Sequence, residues 1–220
     1  MVLERGLLLD IDGTLVDSAY FHVVAWQRSL RANGFVVPSF RIHRLIGMGG
    51  DQFVAALLDD DAEREHGDAL RDGWESAYAP LLSEVQALPG AAELVAGAED
   101  AGWRVVFASS SPDEHLDRYL ELIGASHLRD RATTSEDVEA TKPAPDLVEV
   151  ALQRAGTRHA VLVGDATHDV HAAEKAGIAT VCLLTGGYGK AELEEAGARA
   201  VFATPAELLE RLGELEAPAG

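Results

Sequence analysis

The sequence has little positive charge and almost no sulfur. Lysine and arginine together number 18 against 37 aspartates and glutamates, and the formal net charge is −19. Nucleic acids and anionic membrane surfaces are bound through clustered basic side chains, so this balance argues against both as partners. The single cysteine, Cys182, excludes an intramolecular disulfide framework. It lies in an apolar run, where we expect a buried, unreactive thiol.

Long hydrophobic runs are also missing. No segment approaches the roughly 20 apolar residues of a membrane span. The first apolar stretch, residues 6–11, is too short for the core of a signal peptide. We therefore expect a cytoplasmic protein, by default rather than from a positive signal. With 220 residues, 47% of them hydrophobic, the chain can bury a substantial core.

Short apolar runs of strand length alternate with segments of helical period. The predicted strands are residues 7–11, 105–108, 160–163, 180–184 and 200–203. The predicted helices are residues 89–101, 112–123, 143–155, 168–176 and 205–215, and four of these five begin with proline. This alternation predicts a doubly wound, Rossmann-like α/β fold with a parallel sheet covered on both faces. Ligands of such sheets gather at the carboxyl ends of the strands.

Residues 18–86 interrupt the alternation with helical patterns and no convincing strand. We expect them to form a helical cap inserted into an α/β core made of residues 1–17 and 87–220. Because the insertion directly follows the first strand, the cap would lie over the expected site as a lid. The acidic run at residues 59–65 is interpreted as solvated surface, and the end after Leu212 as a frayed tail.

Three carboxylates cluster at the end of the first predicted strand, in the string LLLDIDGTLVD at residues 7–17. Side chains two apart on a strand point the same way, so Asp10 and Asp12 should project together. Gly13 lets the chain turn beside a ligand. Two unit charges about 6 Å apart repel by about 3 kcal/mol at an effective dielectric of about 20, so a cation or a shared proton is needed. A turn with helix-capping aspartates is the alternative.

The order of an apolar strand followed by Asp-Ile-Asp-Gly-Thr-Leu-Val-Asp closely resembles the first motif of the haloacid dehalogenase superfamily. Three further stretches fall in that family's order: VVFAS at 105–109, TKPAPD at 141–146 and VLVGDATHD at 161–169. The resemblance covers essentially the whole chain, with residues 18–86 in the place of the family's helical cap. It is to the branch that contains phosphoglycolate phosphatases and β-phosphoglucomutases.

The resemblance implies a phosphatase that works through an aspartyl-phosphate. Asp10 would be the nucleophile, and Asp12 the general acid and base, which requires Asp12 to hold a proton near neutral pH. Lys142 would neutralise the Asp10 carboxylate and grip a phosphoryl oxygen. Ser109 would bind the phosphate.

The same resemblance implies a Mg²⁺ site built from hard oxygen ligands. Asp10, the backbone carbonyl of Asp12 and Asp165 would hold the ion, and Asp169 would act behind them or through a water. Capping of the next helix is the alternative for Asp169.

The remaining candidate residues would face a small phosphorylated substrate. They are Gly13, Thr14, His22, Gly47, Gly49, Gly50 and Ser110. His22 and Trp26 lie one helical turn apart, as in β-phosphoglucomutases, although packing within the cap would also explain them. Ser111, followed by Pro112 and Glu114, is interpreted as the N-cap of the next helix.

Phosphatase is favoured over mutase, because the cap loop has no arginine where those mutases hold the second phosphate. Gly50 lies at about that place, the glycines around it suggest a flexible loop, and Arg41 and Arg44 are close enough in sequence to substitute. The alternative from another class is a non-catalytic phospho-acceptor or binding protein, against which stand the helical lid and the full set of catalytic positions. The sequence does not name the substrate or the oligomeric state.

Overall fold

The computed structural model describes residues 5–138 and 140–215. Within them, six strands form one parallel sheet in the order β3-β2-β1-β4-β5-β6. The strands are β1 (Arg5–Leu9), β2 (Trp103–Ala108), β3 (Ala132–Thr133), β4 (Ala160–Gly164), β5 (Ala179–Leu183) and β6 (Ala200–Phe202). Leu7 and Leu9 pack into one hydrophobic core and Leu8 into another, so consecutive side chains of β1 enter opposite faces. The doubly wound prediction is confirmed.

The segment of residues 18–86, which follows β1, is helical. Its helices are α1 (Ala19–Ala32), α2 (Ser39–His43), α3 (Gly50–Leu57) and α4 (Asp60–Tyr78). They share a hydrophobic cluster that includes Trp26, Phe53 and Leu70. The acidic run helps to begin α4, because the side chain of Asp59 accepts a hydrogen bond from the Ala62 amide at 2.8 Å. Residues 60–65 of the acidic run therefore belong to α4.

The helices that flank the sheet lie after residue 86. They are α5 (Ala91–Asp100), α6 (Asp113–Leu122), α7 (Asp146–Ala155), α8 (Thr167–Ala176), α9 (Lys190–Ala196) and α10 (Pro205–Glu210). Short 3₁₀ helices occupy Leu82–Glu84, Ser126–Arg131, Ser135–Asp137, Leu184–Gly186 and Leu212–Glu214. No helix in the described ranges is both long and apolar enough to span a bilayer.

Several boundaries differ from the predictions. Strand β1 ends at Leu9, because the chain turns next: the amides of Leu15 and Val16 both donate to the carbonyl of Ile11. Strand β3 and helix α9 were not predicted, since each is too short to show a period. Leu215 is buried, so the end after Leu212 is packed at least that far, and the remainder of the predicted tail lies outside the described residues. Cys182 is buried in β5, and burial raises its thiol pKa, as expected of an unreactive cysteine.

Candidate active site

A cavity of about 610 Å³ lies between helices α1, α3 and α4 and the loops that follow β1 and β2. Seven of the predicted site residues line it: Asp10, Asp12, His22, Gly47, Gly49, Gly50 and Ser110. The other predicted residues are buried at the same edge of the sheet but do not line the cavity: Gly13, Thr14, Ser109, Lys142, Asp165 and Asp169. The loops after three neighbouring parallel strands thus meet below the cap.

Asp10 and Lys142 form a buried ion pair. Lys142 Nζ lies 2.6 Å from Asp10 Oδ1 and 2.8 Å from Asp169 Oδ1, and the lysine has no exposed surface. Burial would lower the pKa of Lys142, but the two carboxylates outweigh it and raise the pKa. The lysine is therefore a fixed positive charge against the carboxylate of Asp10.

Oxygens of Asp10, Asp165 and Asp169 lie within 4.8 Å of one another, and all three residues are buried. Burial raises the pKa of Asp10 from 3.8 to about 7, against the opposing charge of Lys142. Burial and the charges of Asp169 and Asp10 likewise raise the pKa of Asp165. The single ammonium of Lys142 leaves this cluster short of positive charge, so these residues fit a bound divalent cation.

The surroundings of the cluster hold the individual carboxylates in place. The hydroxyl of Thr14 donates to Asp165 Oδ1 at 2.7 Å. Asp169 Oδ2 accepts from the amides of Asp165 and Ala166 at 3.2 and 3.1 Å, so Asp169 also caps the start of α8. A Cβ placed on Gly186 would lie 1.6 Å from Asp165 Oδ2, so only glycine fits there. This geometry is compatible with both interpretations of Asp169: a residue that supports the metal ligands, and a residue that caps α8.

Asp12 accepts three side-chain hydrogen bonds. Ser18 Oγ and His22 Nε2 lie 2.5 and 2.8 Å from Oδ1, and the hydroxyl of Ser111 donates to Oδ2. Burial by itself would raise the pKa of Asp12, but the charge and hydrogen bond of His22 and the bonds from Ser111 and Ser18 outweigh it and lower the pKa. The lowered pKa favours the carboxylate form of Asp12, whereas the role expected of Asp12 requires a proton near neutral pH.

The predicted cap role of Ser111 is wrong. Helix α6 has Pro112 at its N-cap without a side-chain cap hydrogen bond, and Ser111 turns toward Asp12 instead. The hydroxyl of Ser109 accepts a hydrogen bond from the Ser111 amide at 3.1 Å, and Ser109 is fully buried. The hydroxyl of Ser110 is buried with no hydrogen-bond partner among the described residues. The hydroxyl of Ser110 is therefore available to a ligand.

His22 is held by a stack of aromatic rings. Its ring lies 4.1 Å from that of Tyr78, at an interplanar angle of 11°, and 5.6 Å from that of Trp74. Trp26 stacks on Trp74 from the same side of α1. The prediction that His22 and Trp26 share a helix face is confirmed, and both line the cavity.

Two residues of α3 form hydrogen bonds with Thr141, the residue before Lys142. Asp51 accepts hydrogen bonds from the amide of Thr141, at 3.1 Å, and from its hydroxyl. Gln52 Nε2 donates to the Thr141 carbonyl at 2.5 Å. A Cβ on Gly49 would lie 1.9 Å from Thr141 Oγ1. The glycine there permits a close cap-to-core contact, and the flexibility of this loop stays a prediction.

The arginines suggested as substitutes for a phosphate ligand point elsewhere. Arg41 donates to the Leu57 carbonyl at 2.9 Å, and Arg44 pairs with Glu192 at 2.8 Å. Neither lines the cavity. Arg71 of α4 does, although it was not among the predicted site residues.

Helix α4 contributes a whole face of the cavity that was not predicted. Its lining residues are Glu63, Arg71, Asp72, Trp74 and Glu75. The spacing of Arg71, Trp74, Glu75 and Tyr78 at three and four residues is a helical face that the sequence does show. Nothing in the sequence indicates that this face turns toward the cavity.

The comparisons agree with this geometry. The sequence model of the family described as haloacid dehalogenase-like hydrolase matches residues 7–183. A solved structure of a hydrolase from Pseudomonas syringae is 33% identical, covers 96% of this chain and 99% of its own, and superposes with a TM-score of 0.91. Among curated proteins, the phosphoglycolate phosphatase of Rhodobacter capsulatus is 26% identical over 86% of this chain and 88% of its own. The validoxylamine A 7'-phosphate phosphatase of Streptomyces hygroscopicus subsp. limoneus is 26% identical over 81% and 84%. The chain therefore belongs to the haloacid dehalogenase-like hydrolase family.

Proposed function

We propose that the protein is a Mg²⁺-dependent phosphomonoester hydrolase that acts on a small phosphorylated metabolite through an aspartyl-phosphate on Asp10. The observation that carries the proposal is the Asp10 carboxylate, which lines the cavity while a buried lysine holds it from behind at 2.6 Å. The phosphatases among its relatives support the reaction class. We propose further that residues 18–86 form the cap and that the rest of the chain forms the catalytic core.

Asp10, the Asp12 carbonyl and Asp165 would hold the Mg²⁺ ion, with Asp169 fixing Lys142 and the start of α8 behind them. When bound, the ion supplies positive charge to the substrate phosphate and relieves the repulsion within the acidic cluster.

The reaction itself is assigned to side chains of this chain. A carboxylate oxygen of Asp10 attacks phosphorus, and the new O–P bond forms as the bond to the leaving-group oxygen breaks. Lys142 and the hydroxyls of Ser109 and Ser110 stabilise the phosphoryl oxygens. A water then attacks the acyl phosphate, which releases inorganic phosphate and restores Asp10.

The leaving-group oxygen needs a proton, and Asp12 alone does not hold one in this arrangement. His22 is a titratable side chain in direct contact with Asp12, at 2.8 Å. We assign the proton to the Asp12–His22 pair: Asp12 passes it to the leaving oxygen and later takes one from the attacking water.

We expect His22→Ala to lower kcat/KM for a simple alkyl phosphate by about 100-fold, the usual size of a general acid contribution. The loss for p-nitrophenyl phosphate should be about tenfold or less, because its leaving group departs without protonation. Steady-state kinetics with both substrates make the comparison, and His66→Ala, on α4 outside the cavity, is the control. Equal losses for both substrates would show that His22 contributes to packing and not to protonation of the leaving group.

We expect Mg²⁺ to raise the melting temperature, and by more at about pH 8 than at about pH 5. The pKa of Asp10 is about 7 in the folded chain and 3.8 in the unfolded one. The folded state therefore binds the extra proton between these values, and its stability falls as pH rises through them. Mg²⁺ requires the deprotonated carboxylates, so its stabilisation grows over the same range. Thermal melts of the wild type and of Asp165→Asn test this, and an equal response of the variant would remove Asp165 from the site.

The function is tested by phosphate release from p-nitrophenyl phosphate and a panel of phosphorylated metabolites, with Mg²⁺ and with EDTA. We expect release with Mg²⁺ and none with EDTA. The panel should include β-glucose 1-phosphate with detection of glucose 6-phosphate, since isomerised product without free phosphate would indicate a mutase instead. Binding of phosphorylated compounds without any turnover would indicate a non-catalytic protein.

A further inference from the structure

We infer that the substrates are polyhydroxylated, sugar-like monophosphates that carry no second anionic group. The inference rests on the proposed function and concerns the part of the cavity that lies away from Asp10. It separates this chain from an enzyme for small phosphorylated acids or for bisphosphates.

The cavity wall is strongly acidic. Of the described residues that line it, six carry carboxylates, Asp10, Asp12, Asp51, Glu63, Asp72 and Glu75, and Arg71 is the only lysine or arginine. Asp10 and Asp12 belong to the reacting end, which leaves four carboxylates for the part that meets the organic group. A carboxylate or a second phosphate on the substrate would lie against these like charges, which disfavours its binding.

Arg71 is already neutralised. Its guanidinium lies 2.8 Å from Glu63 and 2.9 Å from Asp68, and it donates to the carbonyl of Gly50 at 3.1 Å. Two carboxylates around one guanidinium give this cluster a net negative charge. A second anionic group that approached Arg71 would also meet the negative charges of Glu63 and Asp68.

The other acidic side chains suit hydroxyl groups. Asp72 is exposed and makes no hydrogen bond or ion pair with another described residue. Glu75 accepts from His115 at 3.0 Å through one oxygen. Carboxylate oxygens accept hydrogen bonds only, so both can receive them from the hydroxyls of a polyol.

The size of the cavity and its apolar wall also favour a sugar-like substrate. Trp26 and Trp74 also line the cavity, so part of its wall is apolar. At about 610 Å³ the cavity lies within the range of complete small-molecule sites. It is far larger than a phosphorylated two-carbon acid requires.

A matched pair of substrates tests the inference. Sorbitol 6-phosphate and 6-phosphogluconate share a carbon chain and differ at the end remote from phosphate, where one has a hydroxymethyl group and the other a carboxylate. We expect kcat/KM for sorbitol 6-phosphate to exceed those for 6-phosphogluconate and phosphoglycolate by at least about 100-fold. Likewise, kcat/KM for fructose 6-phosphate should exceed kcat/KM for fructose 1,6-bisphosphate. p-Nitrophenyl phosphate serves as the reference that reports on the reacting end alone.

A variant links the result to Arg71. Glu63→Gln removes one of its two carboxylate partners, and we expect kcat/KM for 6-phosphogluconate relative to sorbitol 6-phosphate to rise by about tenfold. Glu65→Gln, an exposed change on the same helix outside the cavity, should leave the ratio unchanged. An unaltered ratio in Glu63→Gln would overturn the role given to the Arg71 cluster.

Failure of the inference differs from failure of the proposed function. Turnover of p-nitrophenyl phosphate combined with equal or faster turnover of the acidic substrates overturns the inference alone. Turnover of p-nitrophenyl phosphate without turnover of any neutral sugar phosphate also overturns it. If no phosphoester is hydrolysed with Mg²⁺ present, the proposed function fails.

Discussion

Asp10→Asn is expected to abolish phosphate release, with a loss in kcat of at least about 10⁴-fold, the scale seen when a covalent nucleophile is removed. An amide is a poor nucleophile toward phosphorus and cannot replace the carboxylate as a hard, charged ligand. The protein should stay folded, because the substitution removes a buried charge whose own pKa is raised to about 7 by burial. Phosphate release and a thermal melt measure the two effects.

Asp100→Asn is the matched control, since Asp100 is an exposed aspartate at the end of α5. Its kinetics and melting temperature should equal those of the wild type. Retention of more than about one hundredth of the wild-type rate in Asp10→Asn would place the nucleophile elsewhere. A phosphorylated peptide containing Asp10, trapped from the wild type by rapid acid quench, would identify the intermediate directly.

Lys142→Met is expected to remove activity and also to destabilise the fold by about 3–5 kcal/mol, the cost of breaking a buried ion pair from one side. The substitution keeps an unbranched side chain but leaves Asp10 and Asp169 without their shared ammonium. The remaining carboxylates repel one another in a buried site, so the penalty should grow as pH rises and they lose their protons. Urea unfolding at about pH 8 measures the loss.

Two further variants give this prediction its specificity. Lys190→Met removes an exposed lysine of α9 and should change stability little. In Lys142→Met combined with Asp169→Asn, one of the uncompensated carboxylates is gone, so part of the lost stability should return without the activity. Lys142→Met with wild-type stability would show that the buried carboxylates do not depend on this ammonium.

The residues at the strand ends were predictable from the sequence. Asp10, Ser109 and Asp165 each follow an apolar run, and the carboxyl ends of parallel strands meet at one edge of the sheet. That rule is enough to bring together segments that are far apart in the sequence. The role of Lys142 could be predicted only through the resemblance to a family, because a lysine in a loop has no local sequence pattern that predicts its burial.

The partners of Asp12 were not predictable in the same way. Ser111 has the spacing of a helix cap, yet it bonds across to Asp12. His22 approaches Asp12 from α1, and its position is set by the rings of Tyr78 and Trp74 on α4. These contacts follow from how the cap helices pack on one another, which a local pattern does not encode.

The sequence by itself determined the doubly wound sheet, the helical character of the segment after β1 and the identity of the acidic residues at the sheet edge. Local periodicity and the fixed geometry of parallel strands account for all three. Only the tertiary structure decided that Arg71 is neutralised by Glu63 and Asp68, that Asp51 holds Thr141, and that the cavity wall is acidic. Each of these depends on the rotation of a helix and on its distance from another element, and many weak packing contacts summed over the whole cap set both.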